Sequence, residues 1–525
     1  MLKVDPQDKE KLIDPLFRTG PRFWLVLVIL LFVIGWGVFY YIRQLTIGLG
    51  ETGMDRPTYW GVYMVNFIFF IGISHAGTLI SAILRVTGAE WRRPITRVAE
   101  AITAFALVVG TLQIIIDMGR PDRLWFVIRH GRLQSPILWD VVSVTTYFLG
   151  SVMYLYLPLI PDAAVLRDNC PASAPNWRRR LYTLLALGWR GNREQWVRLE
   201  KAISIMAIFI IPVAVSVHTI ISWILATTVQ PGWHSSIFGP YFVVGAIFSG
   251  IGALFLAMTA VRSTLGLENY ITKRQYHNLG LLFIVMTAIW AYFTYAEHLG
   301  IAAGQQSDEF PVLASKLWGE FAPGFWTMVA LMAVAFWVLV VPRLLPASSA
   351  RLSVFRPRYS LVTGAAAAAV LLLLVAPELM PATAFLTGSA FRTIGWLLLI
   401  LLAIGTALGV SLWFKTRPVM VTVIAAICVV VAMWLERWNI IVPTMTHPRL
   451  IGYAIYRPTV TEVSLTAASL ALFGLLFLVF FKLFPAVSIW EVAEGRVIAE
   501  AQSKIEIPQP EPVEPRRLER WGFRR

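Results

Sequence analysis

Long apolar runs separated by short polar stretches recur along nearly the whole chain, at 22–45, 58–84, 96–117, 136–160, 200–227, 239–264, 276–298, 323–345, 360–376, 391–414, 418–441 and 461–485. A hydrocarbon core of roughly 30 Å takes ~20 residues of helix to cross. Lipid admits only segments that satisfy their own backbone hydrogen bonds. The pattern therefore predicts an all-α integral membrane protein, a polytopic bundle of about 10–12 spans. The 360–376 run is short and Ala-rich and is the weakest of the set. The runs divide the chain into an N-terminal segment 1–21, a transmembrane core 22–345, an additional hairpin within 346–417, a C-terminal pair 418–485 and a Pro-, Glu- and Arg-rich tail 486–525. No repeat of 20–50 residues is visible.

Composition agrees: 57% of residues are hydrophobic and 14% charged, and the mean hydropathy of +0.68 lies outside the range of soluble domains. The net charge of +15 points away from nucleic acid, because Lys and Arg sit in loops between apolar runs, with Trp at many helix ends. Basic residues fall on alternate loops, at 1–18, 85–97, 161–199, 262–275 and 346–359, which places both termini in the cytoplasm. The charged N-terminus carries no small-residue cleavage site. Loop 228–238, on the outer side, has no Lys or Arg, in keeping with this count. Loop 118–135 breaks the rule, with Arg120, Arg123, Arg129 and Arg132 on the outer side. Something must hold that charge there. Cys170 and Cys428 lie in no CxxC or CxxCH pattern, so no iron–sulfur cluster or c-type haem is expected within this chain.

Ionisable groups at membrane depth are costly and mark function by default. His75 lies in the second run beside Asn66 and Ser74. By this topology it falls in the cytoplasmic half, as a proton-path or packing residue. Asp117 closes the third helix and Asp140 opens the fourth, both at the outer face. A carboxylate there suits proton acceptance. The plainer alternatives are that Asp117 pairs with Arg120 or Arg123 and that Asp140 caps its helix. His218 falls in the outer half of the fifth helix and His234 in the following outward loop. Glu297 and His298 end the seventh helix, Glu436 and Arg437 read as an internally neutralised pair, and Glu100 is either a proton-path residue or a first-turn acid.

The segments FIGISHAGTLISAIL, EWRRPITRVAEAIT, DMGRP, ILWDVVSVTTYF, VSVHTIISW, VQPGWHSSIFGPYFVVGAIFSG, TYAEHL and MWLERWNIIVP together resemble the NrfD/polysulfide-reductase membrane-subunit family, over about 58–345 and 418–490. Within it the pattern is most similar to the quinol-binding membrane subunit of bacterial alternative complex III. The resemblance implies a multi-pass subunit of a respiratory or photosynthetic quinol oxidoreductase in the bacterial cytoplasmic membrane. Such a subunit would bind menaquinol or ubiquinol near the outer face, at Asp117, Arg120, Asp140, His218 and His234, with Asp117 and Asp140 catalytic. Proton-path candidates would be His75, Glu100, Glu297, His298, Glu436 and Arg437. It argues against a haem and implies a periplasmic iron–sulfur subunit, multihaem cytochromes c, a second NrfD-like membrane subunit and lipid as partners. Two departures stand out: Asp117 occupies a position where His is usual, and the larger family members have ten spans, so that 346–417 reads as an inserted hairpin. Rival readings are the paralogous subunit that binds no quinol, the membrane subunit of a polysulfide- or tetrathionate-type molybdoenzyme, and a secondary transporter.

Overall fold

The computed structural model describes residues 5–345, 417–449 and 452–504, with 364–366, 410, 411, 414 and 415. Among the described residues ten helices are long and apolar enough to cross a membrane: α1 Pro21–Ile47, α2 Val62–Val86, α3 Thr96–Asp117, α4 Pro136–Asp168, α5 Arg193–Ala226, α6 Phe238–Thr264, α7 Lys273–Gly304, α8 Ala322–Leu344, α9 Pro418–Thr446 and α10 Val460–Leu483. The expected hairpin, with its runs 360–376 and 391–414, lies almost wholly outside the described residues. A further helix, α11, spans Ile489–Lys504.

Local sequence explains several of the helix starts. Asn192 with Gln195, Thr272 with Gln275 and Thr459 with Glu462 form capping boxes at α5, α7 and α10, satisfying first-turn N–H groups that would otherwise be orphaned. Pro occupies the first turns of α1, α4, α8 and α9, where its missing N–H costs nothing.

α2 is the central helix and packs on α3, α5, α6 and α9. Helices α2 to α5 form one bundle, α6 to α9 a second, and α1 pairs with α10 on the outside. With no hydrophobic drive between helices in lipid, close packing of small residues carries the association. Gly77 is the clearest case: a Cβ there would collide with the Ala99 carbonyl and the Thr103 hydroxyl of α3.

Two polar poles result. One carries the ends of α1, α3, α5, α7 and α9, with Asp117 and Asp140. At the opposite pole the chain after α10 folds back instead of trailing away. Glu491 accepts from Arg85 (2.6 Å), Arg92 (3.3 Å) and the Thr96 hydroxyl (3.0 Å). Asp162 takes Arg97 at 3.0 Å and the backbone N–H groups of Ile489 and Trp490 at 3.3 Å. Arg496 reaches Asp8 of the N-terminal segment at 2.7 Å. The start of the tail, 486–491, is therefore buried against the bundle as a strap.

Candidate functional site

Asp117 ends α3 and Asp140 lies just beyond the first turn of α4, so two neighbouring helices bring a carboxylate each to one pole. One oxygen of each, Oδ1, is buried with no hydrogen-bond partner. Neither of the plainer alternatives holds. Arg120 turns away to Asp122, at 3.1 Å and largely exposed, and no side chain caps α4, whose N-cap is Ser135. An unpaired buried acceptor costs about 1–3 kcal/mol, and two at one pole mark a place where hydrogen-bond donors are wanted. Around them Gln44 donates to Ile116 O (2.8 Å) and accepts from the Tyr63 hydroxyl (2.7 Å). Glu462 accepts from the Gly53 and Thr459 N–H groups (2.8 and 2.9 Å) and from the Tyr456 hydroxyl.

His75 and His218 face each other across α2 and α5, with His218 Nδ1 3.1 Å from His75 Nε2 and both rings fully buried. The sequence places them in opposite halves of the membrane; the structure brings them to one level. α4 and α5, of 33 and 34 residues, overrun the ~20 needed to span, so counting from the edge of an apolar run misjudges depth. His75 Nδ1 lies 2.7 Å from Ile71 O, and Nε2 also meets Ala214 O. Nε2 of His218 has no partner.

Next to the histidines, Arg437 stacks on the Phe242 ring, 5.1 Å from its centroid, and lies 2.9 Å from Glu436. The distance is that of an ion pair, but the angle is not that of a hydrogen bond: Glu436 Oε2 and both Nη atoms lack hydrogen-bond partners. We read the pair as neutralising charge while leaving hydrogen-bonding capacity unspent. Glu436 Oε1 accepts from Trp290 Nε1 at 2.5 Å.

Glu297 and His298 lie before the last turns of α7, which continues to Gly304. Glu297 accepts from the Ser235 hydroxyl at 2.5 Å, and His298 Nδ1 donates to Thr294 O at 2.7 Å. His234 is half-exposed and 3.2 Å from Glu309, away from Asp117 and Asp140. Glu297, His298 and Glu436 share a cavity in the second bundle with Lys316 and Asn439. Glu100 is at the far pole, 3.0 Å from the Ser81 hydroxyl, and buried rather than merely favoured by a helix dipole.

The expected residues thus form separate groups: Asp117 and Asp140 at one pole, each on its own helix end; His75 with His218, Arg437 and Glu436; Glu297 with His298; Glu100 at the other pole. Sequence reasoning missed Glu462, Glu309, Lys316 and Asn439. Thr459 and Glu462 do show a capping-box spacing, whereas Lys316 lies on a short loop helix, Phe310–Leu317, that no transmembrane pattern signals. Among the described residues no group of three or more His, Cys, Asp or Glu is placed to hold a metal ion.

The sequence is 32% identical over 259 residues, 47% of this chain and 56% of the relative, to a putative dimethyl sulfoxide reductase membrane subunit of Halobacterium salinarum. It is 25% identical to a selenate reductase subunit of Mesobacillus selenatarsenatis, over 43% of this chain and 54% of the relative. It is 22% identical over 61% of this chain to the Hdr-like menaquinol oxidoreductase integral membrane subunit of Archaeoglobus fulgidus, and the match takes in 68% of that protein. The chain thus spans little more than half the length of the first two relatives. The profile described as polysulphide reductase, NrfD, matches residues 50–375, and the chain belongs to that family of integral membrane proteins.

Proposed function

We propose that this chain is the quinol-handling membrane subunit of an oxidoreductase complex of the alternative complex III kind. It binds menaquinol or ubiquinol at the pole of Asp117 and Asp140, which faces outward. The observation that carries this reading is the pair of buried, unpartnered carboxylate oxygens on adjacent helix ends. Quinol oxidation releases two protons and two electrons. Each hydroxyl needs an acceptor within hydrogen-bond reach that takes its proton as the electrons leave, and Asp117 and Asp140 are suited to that task.

With no redox centre expected in the chain, electrons pass from the quinol to an iron–sulfur subunit outside the membrane, with multihaem cytochromes c beyond it and a second NrfD-like subunit alongside. The relative named as a menaquinol oxidoreductase subunit supports the substrate class. The dimethyl sulfoxide and selenate reductase relatives favour a second reading, in which the same site serves a molybdoenzyme-type partner. Co-purifying cytochrome c separates the two, and co-purifying quinone separates both from a transporter or a paralogous subunit that binds none.

The test is substitution in the assembled complex. Asp117→Asn and Asp140→Asn keep size and assembly and lower quinol oxidation by ~10²-fold each, the lower end of what one general base supplies. Near-wild-type turnover in both variants refutes the assignment.

A further inference from the structure

At the pole opposite Asp117 and Asp140, the connection between α4 and α5 forms a helix of its own, Asn176–Leu185. One face anchors it. The Arg178 guanidinium donates to Leu16 O (3.0 Å) and Lys482 O (2.9 Å), and the Tyr182 hydroxyl donates to Leu483 O (2.8 Å). Those carbonyls belong to the last turn of α10 and to the segment just before α1, so the helix lies across the place where two spans leave the bilayer. α1 presents nearly its whole surface to lipid there: of its residues only Gly37 and Gln44 are buried among the described residues.

The remaining faces of the helix are exposed. At ~3.6 residues per turn, Trp177, Leu181 and Leu184 fall on one strip, and Trp177 and Leu184 are 55% and 71% exposed. Arg179, Arg180 and Thr183, all exposed, border that strip. Elsewhere at this pole the arginines have acids: Arg85 and Arg92 hold Glu491, Arg93 holds Glu90 and Glu494, and Arg97 holds Asp162. Residues 171–190 contain four arginines and no acid, and neither Arg179 nor Arg180 makes an ion pair among the described residues. An aromatic and aliphatic strip edged by guanidiniums is the pattern of a helix lying in the membrane interface. The guanidinium fork matches a phosphate, and charge without a carboxylate beside it selects an anionic head over a choline head. A tryptophan at the end of a span and lipid-facing α1 alongside favour lipid over a protein partner.

We propose that the helix Asn176–Leu185 lies in the membrane interface and holds an anionic phospholipid, with Arg179 and Arg180 on its phosphate and Trp177 and Leu184 against its acyl chains. The site is independent of the quinol reading of the chain.

The intact complex, reconstituted with equal amounts of phosphatidylglycerol and phosphatidylcholine, is labelled in parallel with a photoreactive derivative of each lipid, and the adducts are mapped by peptide mass spectrometry. In the wild type the phosphatidylglycerol probe labels the helix strongly and the phosphatidylcholine probe weakly. Arg179→Gln with Arg180→Gln lowers the phosphatidylglycerol label there at least ~tenfold, as the loss of two guanidiniums near a lipid surface implies, and leaves the melting temperature and the label on α1 unchanged. Arg179→Lys with Arg180→Lys, which keeps the charge, keeps most of the label. Equal labelling of the helix by both probes, or a phosphatidylglycerol label that survives the Gln pair, overturns the proposal. So does a helix labelled by neither lipid; cross-links from it to another subunit then identify this face as a protein interface.

Discussion

His75 meets a main-chain carbonyl with each ring nitrogen, Ile71 O and Ala214 O, and meets His218 as well. A neutral imidazole has a single N–H and can serve only one carbonyl, while the imidazolium serves both. In the neutral ring one of the two carbonyls is therefore left without its proton, and under the proposed function the pair would serve proton passage, not quinol contact. Replacing His75 by Ala opens a void against Tyr147, whose ring centroid is 4.9 Å away. The expected cost is about 2–4 kcal/mol, as for other buried large-to-small changes. The solubilised subunit should melt earlier and proton release slow, while KM for quinol holds. A defect confined to KM would place His75 at the quinol. Lys316, outside the spanning helices, gives a pH signature: burial pushes its ammonium down from 10.5 to about 8, against the raising effect of Glu297. Between those values the unfolded chain binds a proton that the folded chain lacks, so stability rises with pH through about 8 to 10.5. Below that window both states carry the charge and the burial cost is present in full. Lys316→Met should raise melting temperature near neutral pH and flatten its rise with alkali; an unchanged slope would show that the ammonium is solvated.

At the scale of helices, the apolar runs locate every described span, but their edges mislead wherever a buried charge is paired. The 136–160 run stops short of Asp162, whereas α4 continues to Asp168 because Asp162 is neutralised by Arg97 and two backbone N–H groups. Likewise the polar start of α5 at Arg193 precedes the run that begins at 200. Hydropathy measures contact with lipid: the added turns of α4 are covered by protein, whereas those of α5 project into the open, with Glu194 and Arg198 more than 80% exposed. Close helix approach is a second feature that periodicity conceals, since a glycine in an apolar run looks the same whether it faces lipid or a backbone. Gly77 faces α3. Gly77→Ala should force α2 and α3 apart at the centre of the first bundle and cost several kcal/mol, with overpacking strain added to lost contacts. Gly35 of α1 has open space where its Cβ would go, and Gly35→Ala should be neutral. Equal melting temperatures for the two variants would contradict the packing.

For the molecule as a whole, the membrane-bundle class and the pole of Asp117 and Asp140 were legible in the sequence, because both follow from helix ends. The meeting of His75 with His218 was not, because it depends on tilt and overhang of long helices. Nor was the strap at 484–496, where Glu491 sits among Arg85, Arg92 and Thr96 and ties the cationic connection between α2 and α3 to one end of the bundle. The charge of Arg85 and Arg92 is therefore spent internally. At the opposite pole basic charge is not: Arg123, Arg129 and Arg132 are exposed and make no ion pair among the described residues, and Arg120 holds only Asp122. Beside them Trp125, Phe126, Ile128 and Leu133 are 52–81% exposed on and around the helix Leu124–Arg129. Exposed aromatic residues with arginine are the composition of interface anchors. If the iron–sulfur subunit seats here, charge governs encounter and the apolar residues hold the contact. Arg129→Gln with Arg132→Gln should then weaken association with that subunit, most visibly at raised salt, where the remaining charges are screened. Retention of the partner by the double variant through high-salt purification would show that loop 118–135 is no electrostatic dock and that its arginines serve the bundle itself.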